Sequence, residues 1–252
     1  MSRPNGVILY HGPSQIDGSQ IVVILTGLRS GSANLKTGAM LQTWILRADR
    51  SPVLAAKDGS DAAICGACPH RTTINPQTGK TERGCYVIVH NAPRSVWACW
   101  KRGGYEFATD EDRQVIRSSL LRLGSYGDPA AVPAEVWQGI MSDRRTGYTH
   151  QWRESFAQSL QSFTMASVDS PEEAREAQDL GWRTFRIRQA GDPLLAREIV
   201  CPASEEAGKV RTCSTCKACA GNPNGRGASV AIIAHGSGAK HTRRAARLPV
   251  VA

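Results

Sequence analysis

The chain has 252 residues, of which 41% are hydrophobic, 21% charged and 6% aromatic. This length allows one large domain or two small ones with a buried core, and the composition excludes a disordered chain. The sequence contains no apolar run of about 18 residues, which excludes a transmembrane helix, and its N-terminus lacks the pattern of a signal peptide. From these features we expect a cytoplasmic protein.

The first part of the chain, residues 1–105, has the pattern of β structure. Short runs rich in apolar and β-branched residues are separated by Gly, Pro, Ser and Asp, which is typical of strands. Residues 50–84 are rich in Gly, Pro and Thr and predict a loop. The predicted strands are Val7–Tyr10, Ile21–Thr26, Thr43–Leu46 and Cys85–Val89, and the predicted helix is Pro93–Lys101, with Pro in its tolerated first turn.

In residues 106–236 strands and helices alternate, which predicts βα units and a parallel sheet. Ser170 to Glu173 have the order of a capping box with Pro in the first turn, and they predict a helix start. We therefore predict an α/β fold, a partial (β/α) barrel-like parallel sheet with a β-rich N-terminal part and Cys-rich metal-binding loops. The predicted helices are Asp110–Ser118, Pro133–Arg144, Glu154–Gln161 and one from Ser170 to about Leu180, and the predicted strands are Leu120–Gly124, Tyr148–Trp152, Phe163–Ser167, Arg183–Arg188, Glu198–Cys201 and Ser229–Ala234.

The eight cysteines are clustered, and clustered cysteines in a reducing compartment indicate metal ligands rather than disulfides. Cys201, Cys213, Cys216 and Cys219 supply four thiolates, enough for a tetrahedral zinc ion or a four-iron cluster. Three cysteines at two-residue spacing resemble the run in bacterial ferredoxins and favour an iron–sulfur cluster, with zinc as the alternative.

A second set, Cys65, Cys68 and Cys85, supplies three thiolates and leaves one ligand position for a substrate, a water or another side chain. His70, His90 and Cys99 are the nearby candidates for a fourth ligand. Two interpretations stay open, a structural zinc knuckle and an open catalytic site.

Polar residues follow several predicted strands, where the active-site face of a (β/α) barrel lies. Tyr126, Asp128, His150 and Asp169 are the catalytic candidates among them. Asp128, His150 and Asp169 also have purely structural explanations. The two aspartates precede helices that they could cap, and His150 could be a hydrogen-bonded histidine at the mouth of the barrel.

The net charge of +9 is concentrated near the C-terminus. Residues 205–252 hold eight Lys or Arg against two Glu, and we treat residues 237–252 as a basic tail. Such a segment is expected to contact phosphates of nucleic acid, or else to be a solvated, solubilising tail. The candidate nucleic-acid contacts are Lys240, Arg243, Arg244 and Arg247.

Two resemblances bear on origin and chemistry. Blocks such as ICGACPHR, GSYGDPAAVP and CPASEEAGKVRTCSTCKACAG resemble an uncharacterised family of tailed-phage and prophage proteins, over about Ile8 to Gly236. That resemblance implies a phage-encoded protein of the bacterial host cell and little about its chemistry. The partial barrel with cysteines near its strand ends also resembles radical S-adenosylmethionine enzymes, but their Cys-x3-Cys-x2-Cys loop is absent, so use of S-adenosylmethionine is not supported.

Two functional hypotheses follow from the sequence. The first is a metal-dependent enzyme acting on nucleic acid or a nucleotide, and the second is a non-enzymatic zinc protein that binds DNA through its basic tail. The sequence leaves the oligomeric state open and predicts no membrane partner. A cleft that gathers Tyr126, Asp128, His150 and Cys201 favours the enzyme, whereas scattered surface positions favour the DNA-binding protein.

Overall fold

A computed structural model describes residues 5–31, 35–222, 227–236 and 238–241. Of the four basic residues assigned to nucleic-acid contacts, Arg243, Arg244 and Arg247 lie outside these ranges, and Lys240 is exposed. No helix within the described ranges has the length and hydrophobicity needed to cross a bilayer.

The three strands predicted near the N-terminus are confirmed as an antiparallel unit of β1 (Gly6–Pro13), β2 (Gln20–Thr26) and β3 (Leu41–Arg47). The middle strand is buried from Ile21 to Leu25. Because both of its faces are covered, this strand is a continuous apolar run rather than an alternating one.

The prediction of a loop over residues 50–84 is wrong. This segment forms α1 (Pro52–Asp58), α2 (Ala62–Cys65) and a hairpin of β4 (Thr72–Ile74) and β5 (Thr81–Arg83). The many Gly, Pro and Thr residues obscured the local signals, in particular Ser51, which caps α1, and Gly59, which ends it with a φ of 81°.

The predicted strand Cys85–Val89 is also wrong, since these residues have no strand pairing. They form the connection from the hairpin to α3 (Ala92–Lys101), a helix that was predicted and is confirmed.

The alternation predicted for the second part is confirmed at most positions. Helix Asp110–Ser118 has its predicted bounds, because Thr109 and Asp112 form a capping box, and Ser170 caps the next long helix as predicted. Two helices are shorter than predicted, since Pro133–Arg144 is helical only over Ala134–Gln138, and Glu154–Gln161 contains a 3-10 helix, Ser155–Leu160. The elements are α4 (Asp110–Ser118), β6 (Leu121–Tyr126), α5 (Ala134–Gln138), β7 (Arg145–Thr146), β8 (Tyr148–Thr149), β9 (Met165–Val168), α6 (Pro171–Asp179), β10 (Thr184–Arg188), β11 (Glu198–Val200), α7 (Cys213–Cys216) and β12 (Ser229–Ile233).

These strands form two five-stranded sheets, in the orders β1-β2-β3-β6-β7 and β11-β12-β10-β9-β8. From β3 onwards all neighbouring pairs in both sheets are parallel. The predicted α/β class with parallel strands is therefore confirmed, and the sheets form no closed barrel in the described part of the chain. Since β7 and β8 are separated only by Gly147, residues 145–149 act as one strand shared by the two sheets.

A buried ion pair between Arg186 and Glu198 joins β10 to β11. Both carboxylate oxygens of Glu198 accept from the Arg186 guanidinium, at 2.8 and 2.7 Å, and one also accepts from the Leu195 N–H. The two side chains are only 2% and 0% exposed. Burial alone would raise the pKa of Glu198, but the hydrogen bond from Arg186 lowers it below the ordinary value of 4.5.

Replacing Glu198 with Gln should lower the unfolding free energy at pH 7 by about 3–5 kcal/mol, because it leaves a buried guanidinium without its partner. A carboxylate with a lowered pKa stabilises the fold above its unfolded pKa and loses this effect as the pH falls through the folded value. The difference between the two proteins should therefore shrink below about pH 4, as measured by urea denaturation.

The matched control is Glu172→Gln, which removes an exposed ion pair with Arg175 whose side chains are 73% and 64% exposed. This control should unfold like the wild-type protein. Equal effects of the two substitutions would contradict a structural role for the buried pair.

Candidate metal and catalytic site

A single cavity of about 360 Å³ lies against the parallel strands and gathers both Cys groups. Its wall includes residues of β6, β8, β9, β10 and β12, so this side of the two sheets is concave. The seven cysteines predicted as metal ligands all line it, together with three of the four catalytic candidates and His70. They are Cys65, Cys68, Cys85, Cys201, Cys213, Cys216, Cys219, Tyr126, Asp128 and His150.

The two-residue repeat of β-strands explains which side chains reach the cavity. In β6, Arg122 and Gly124 line the cavity, whereas Leu121 and Leu123 are buried in the core. The alternation ends at Gly124, because Ser125 and Tyr126 both line the cavity. Gly124 has a φ of 66°, and a Cβ there would lie 2.6 Å from the carbonyl oxygen of Gly127. Glycine is required at this position because the strand bends sharply towards the loop that carries Asp128.

The first Cys group is assembled by the β4–β5 hairpin. This hairpin returns the chain so that the N–H of Cys85 donates to the carbonyl of His70 at 2.8 Å, close to Cys68 in the sequence. Burial raises the pKa of all three thiols, and that of Cys65 is raised further by the charges of Asp61, Cys68 and Cys85. Arg83 opposes the shift at Cys65 and Cys85, and His70 opposes it at Cys68, but burial outweighs both.

A buried carboxylate that the sequence analysis missed fixes this loop. Asp61 is fully buried and accepts from Arg71 Nε at 2.8 Å and from Arg83 Nη1 at 2.9 Å. Arg71 also donates to the carbonyl of Gly66, between the two cysteines of the loop. The Cys65 and Cys68 backbone is therefore held by a charged network that joins α2 to the hairpin.

The second Cys group is anchored to three separate parts of the fold. The N–H of Cys201 donates to Ala231 at 2.8 Å in β12, and the N–H of Cys213 donates to Lys36 at 2.9 Å. The carbonyl of Cys219 accepts from the N–H of Gly147 at 3.3 Å.

The thiols of the second group interact electrostatically with one another. Burial raises the pKa of Cys219 to about 12, and the charges of Cys201, Cys213 and Cys216 raise it further, although a hydrogen bond with Tyr148 opposes the shift. Burial likewise raises the pKa of Cys201 and Cys213. The charges of Lys36 and Arg122 oppose the shift at Cys213, and that of Lys36 opposes it at Cys201, but burial outweighs them.

Asp128 has a structural role in addition to its place on the cavity wall. Its carboxylate accepts from the N–H of Ala130 at 2.9 Å, which caps the short 3-10 helix after β6. It also accepts from the N–H of His150 at 2.7 Å and so fixes the chain at the end of β8. Burial raises the pKa of Asp128, although these hydrogen bonds and the charge of His150 oppose the shift.

Tyr126 lies at the end of β6 with its side chain 2% exposed. Its hydroxyl is buried and has no hydrogen-bond partner in the described part of the chain. Burial, followed by the charge of Cys65, raises the pKa of this phenol well above its ordinary value. Tyr126 therefore stays protonated at neutral pH and has a hydrogen bond available at the first Cys group.

The histidines of the site form a cluster with Asp169. His70 Nε2 lies 2.8 Å from Asp169 Oδ1, His150 Nε2 lies 3.9 Å from Asp169 Oδ2, and His150 Nε2 lies 3.8 Å from the Cys68 sulfur. Burial lowers the pKa of His70, but the hydrogen bond and charge of Asp169 outweigh it and raise the value overall. Asp169 shows the converse, since its contact with His70 lowers its pKa despite its burial.

The two other candidates for a fourth ligand of the first group do not line the cavity. His90 is exposed in the connection to α3, and Cys99 packs on α3 beside Gly104 and Tyr105. Of the three candidates, only His70 faces the cavity. The sequence analysis missed several lining residues, among them Arg122 and Tyr148. Their only sequence signal is that each is a polar residue in a predicted apolar strand.

A compact set of candidate metal ligands in the described ranges is formed by histidines and an aspartate rather than by cysteines. Within the described ranges, the one group of three His, Cys, Asp or Glu side chains whose ligand atoms all lie within 4.8 Å of one another is His70, His150 and Asp169. Neither Cys group therefore brings three sulfurs that close together.

No protein-family model matches the chain, and comparisons with curated proteins and with solved structures also give no match. The site therefore has to be interpreted from its own geometry.

If the second Cys group holds metal, Cys216→Ala should release that metal and lower the melting temperature, because metal binding stabilises only the folded state. Metal and sulfide analysis of anaerobically purified protein measures the first effect, and thermal unfolding the second. Cys99→Ala is the control, since this cysteine lies outside the cavity, and it should keep the full metal content. A Cys216→Ala protein with full metal content and unchanged melting would contradict the assignment.

Proposed function

We propose that the protein is a metal-dependent enzyme that acts on a nucleotide, free or within nucleic acid, in the cavity between its two Cys groups. The observation that carries this proposal is that one cavity collects both Cys groups with Tyr126, Asp128 and His150. Structural zinc sites are normally closed by their four ligands and have no need of a shared cavity, whereas catalytic metals face substrate. The volume of about 360 Å³ falls in the range of small-molecule sites.

The donor set fits iron–sulfur clusters better than zinc. Thiolates on one zinc ion lie roughly 3.8 Å apart, given Zn–S bonds of about 2.3 Å and tetrahedral angles. The thiolates of a four-iron cluster bind different iron atoms and lie farther apart, which agrees with sulfurs that do not gather within 4.8 Å. A four-iron cluster bound to Cys65, Cys68 and Cys85 would leave one of its iron atoms without a thiolate ligand. Zinc remains the alternative cofactor.

Four aromatic side chains that line the cavity are suited to binding the base of a nucleotide. Tyr148 and Phe185 pack with ring centroids 4.4 Å apart, and the rings of Tyr86 and His235 are stacked at 6.3 Å. Aromatic faces of this kind bind bases by stacking, with about 1–3 kcal/mol for each base. All four rings line the cavity.

Arg122 supplies a cation inside this cavity. Its Nη2 donates to the hydroxyl of Tyr86 at 2.6 Å, while its Nε is buried without a hydrogen-bond partner in the described part of the chain. Burial alone would lower its pKa, but the charges of Tyr86, Tyr148, Cys213 and Cys219 raise it. A guanidinium in this position is suited to a phosphate group, which it binds through paired N–H donors.

The chain's own residues can also move and hold protons at the first Cys group. His150 lies at the end of β8 with its Nε2 towards Cys68 and is the candidate general acid or base. Tyr126 can donate its unused hydrogen bond to a substrate oxygen, and Asp128 positions His150 through the backbone. Asp169 orients His70 rather than facing the cavity itself.

The rival function is DNA binding through the basic tail by a zinc protein without catalytic activity. Only Lys240 of its four proposed contacts is described, on a helical turn next to His241, which pairs with Glu82 at 3.3 Å. The concave cavity favours the enzyme. We also propose that the protein is phage-encoded and acts in a bacterial cytoplasm. The phage origin is supported by the sequence resemblance alone.

Substituting Arg122 with Met should weaken binding of nucleoside 5′-monophosphates about 10- to 100-fold, because a hydrogen-bonded ion pair contributes about 1.5–3 kcal/mol. Binding of nucleosides without phosphate should change little. Isothermal titration of the anaerobically purified protein with the common ribo- and deoxyribonucleotides measures both. Arg175→Met, on the exposed face of α6, is the matched control and should bind like the wild type.

Two results would contradict the proposal: no nucleotide binds, or Arg122→Met binds as tightly as the wild type. In the rival case, duplex DNA binds instead, and truncation of the tail after Ser237 lowers the slope of log K against log salt by about 2–4. An unchanged slope after truncation would also exclude the tail as the DNA contact.

A further inference from the structure

We propose that His70, His150 and Asp169 bind one divalent transition-metal ion at the end of β8 and β9, separate from the sulfur atoms of the Cys groups. Their ligand atoms all lie within 4.8 Å of one another. The two measured contacts to the carboxylate are 2.8 Å from His70 Nε2 and 3.9 Å from His150 Nε2. The inference goes beyond the proposed function, because no donor is a cysteine and the ion does not depend on metal at either Cys group. With this ion bound, His150 is its ligand and does not act as the general acid or base.

Three independent segments hold these donors in place. His150 follows β8 and donates its N–H to Asp128, while Asp169 follows β9 and donates its N–H to Glu173 at 2.8 Å. His70 is fixed by its carbonyl, which accepts from the N–H of Cys85. A site whose donors are each fixed by separate backbone contacts is organised before the ion arrives.

The donor set is one that transition metals use. Two imidazoles and one carboxylate bind non-haem iron or zinc and leave further coordination positions open. The side chains of His70, His150 and Asp169 are 6%, 19% and 7% exposed, so the ion would be shielded from bulk water. His70 and His150 line the cavity and Asp169 lies behind them, which directs the open positions towards the cavity.

Only one of the two ring nitrogens of His70 has a hydrogen-bond partner in the described ranges. One ring nitrogen contacts Asp169, and the other, Nδ1, is buried without a hydrogen-bond partner in the described ranges. The residue is only 5% exposed, so water does not readily compensate for the missing contact. The competing explanation is an ion pair of protonated His70 with Asp169 and no metal.

An ion here would lie beside the first Cys group, since His150 Nε2 is 3.8 Å from the Cys68 sulfur. Its open positions could take an oxygen atom of the substrate or a water molecule. The cavity would then hold a mononuclear metal at one end and the aromatic wall with Arg122 at the other.

The test is equilibrium dialysis of the anaerobically purified full-length protein against Zn²⁺, with bound metal measured by mass spectrometry. The wild-type protein should bind one Zn²⁺ per chain beyond the metal it was purified with. His150→Gln and Asp169→Asn should each weaken this binding at least about 100-fold, since they remove a direct ligand. His90→Gln, an exposed histidine outside the cavity, is the matched control and should bind normally.

A second measurement does not depend on how the variants fold. X-ray absorption at the zinc edge of the loaded wild-type protein should show nitrogen and oxygen ligands at about 2.0–2.2 Å and no sulfur at about 2.3 Å. No additional zinc in the wild-type protein, or a sulfur shell around it, would overturn the proposal. Nucleotide binding by the same samples tests the proposed function separately.

Discussion

The cavity depends on the shared strand formed by residues 145–149. Its first half pairs with β6 and its second half with β9, so one short stretch of backbone joins the two sheets. Gly147 at the junction leaves little room for a side chain, because a Cβ would lie 3.0 Å from Thr164 and 3.1 Å from Leu123. Its N–H also donates to the carbonyl of Cys219, so the same residue anchors the second Cys group. The junction therefore determines both the concave wall and the distance between the two Cys groups.

The electrostatics of the cavity are consistent with a bound cation. Six of the seven lining cysteines have pKa values raised by burial, with contributions from their neighbours, so these thiols favour the protonated form. A metal ion reverses this balance, because it binds thiolates and offsets their charge. The buried network of Asp61 with Arg71 and Arg83 holds the first loop in place whether or not metal is bound. The backbone of the first Cys group is therefore held by contacts among the protein's own charged residues.

The elements whose ends are set by local capping or by continuous apolar runs were the ones best predicted from the sequence. The bounds of α4 and the start of α6 follow from their caps, and the apolar strands were found because burial on both faces leaves continuous apolar runs. The segment over residues 50–84 was mispredicted because its helices are short and its hairpin is stabilised by the contacts of Asp61 rather than by propensity. The cysteines were found from their spacing. The contact of His70 with Asp169 joins residues 99 apart in the chain, and no local pattern indicates it.

The central claim is that both Cys groups, which line one cavity, hold metal. Anomalous diffraction at the iron and zinc edges, from crystals grown without oxygen, tests it most directly. We predict iron at both sites, one beside Cys65, Cys68 and Cys85 and the other among Cys201, Cys213, Cys216 and Cys219. Zinc at these positions would change the cofactor but keep the site. The absence of metal from both groups would contradict the account.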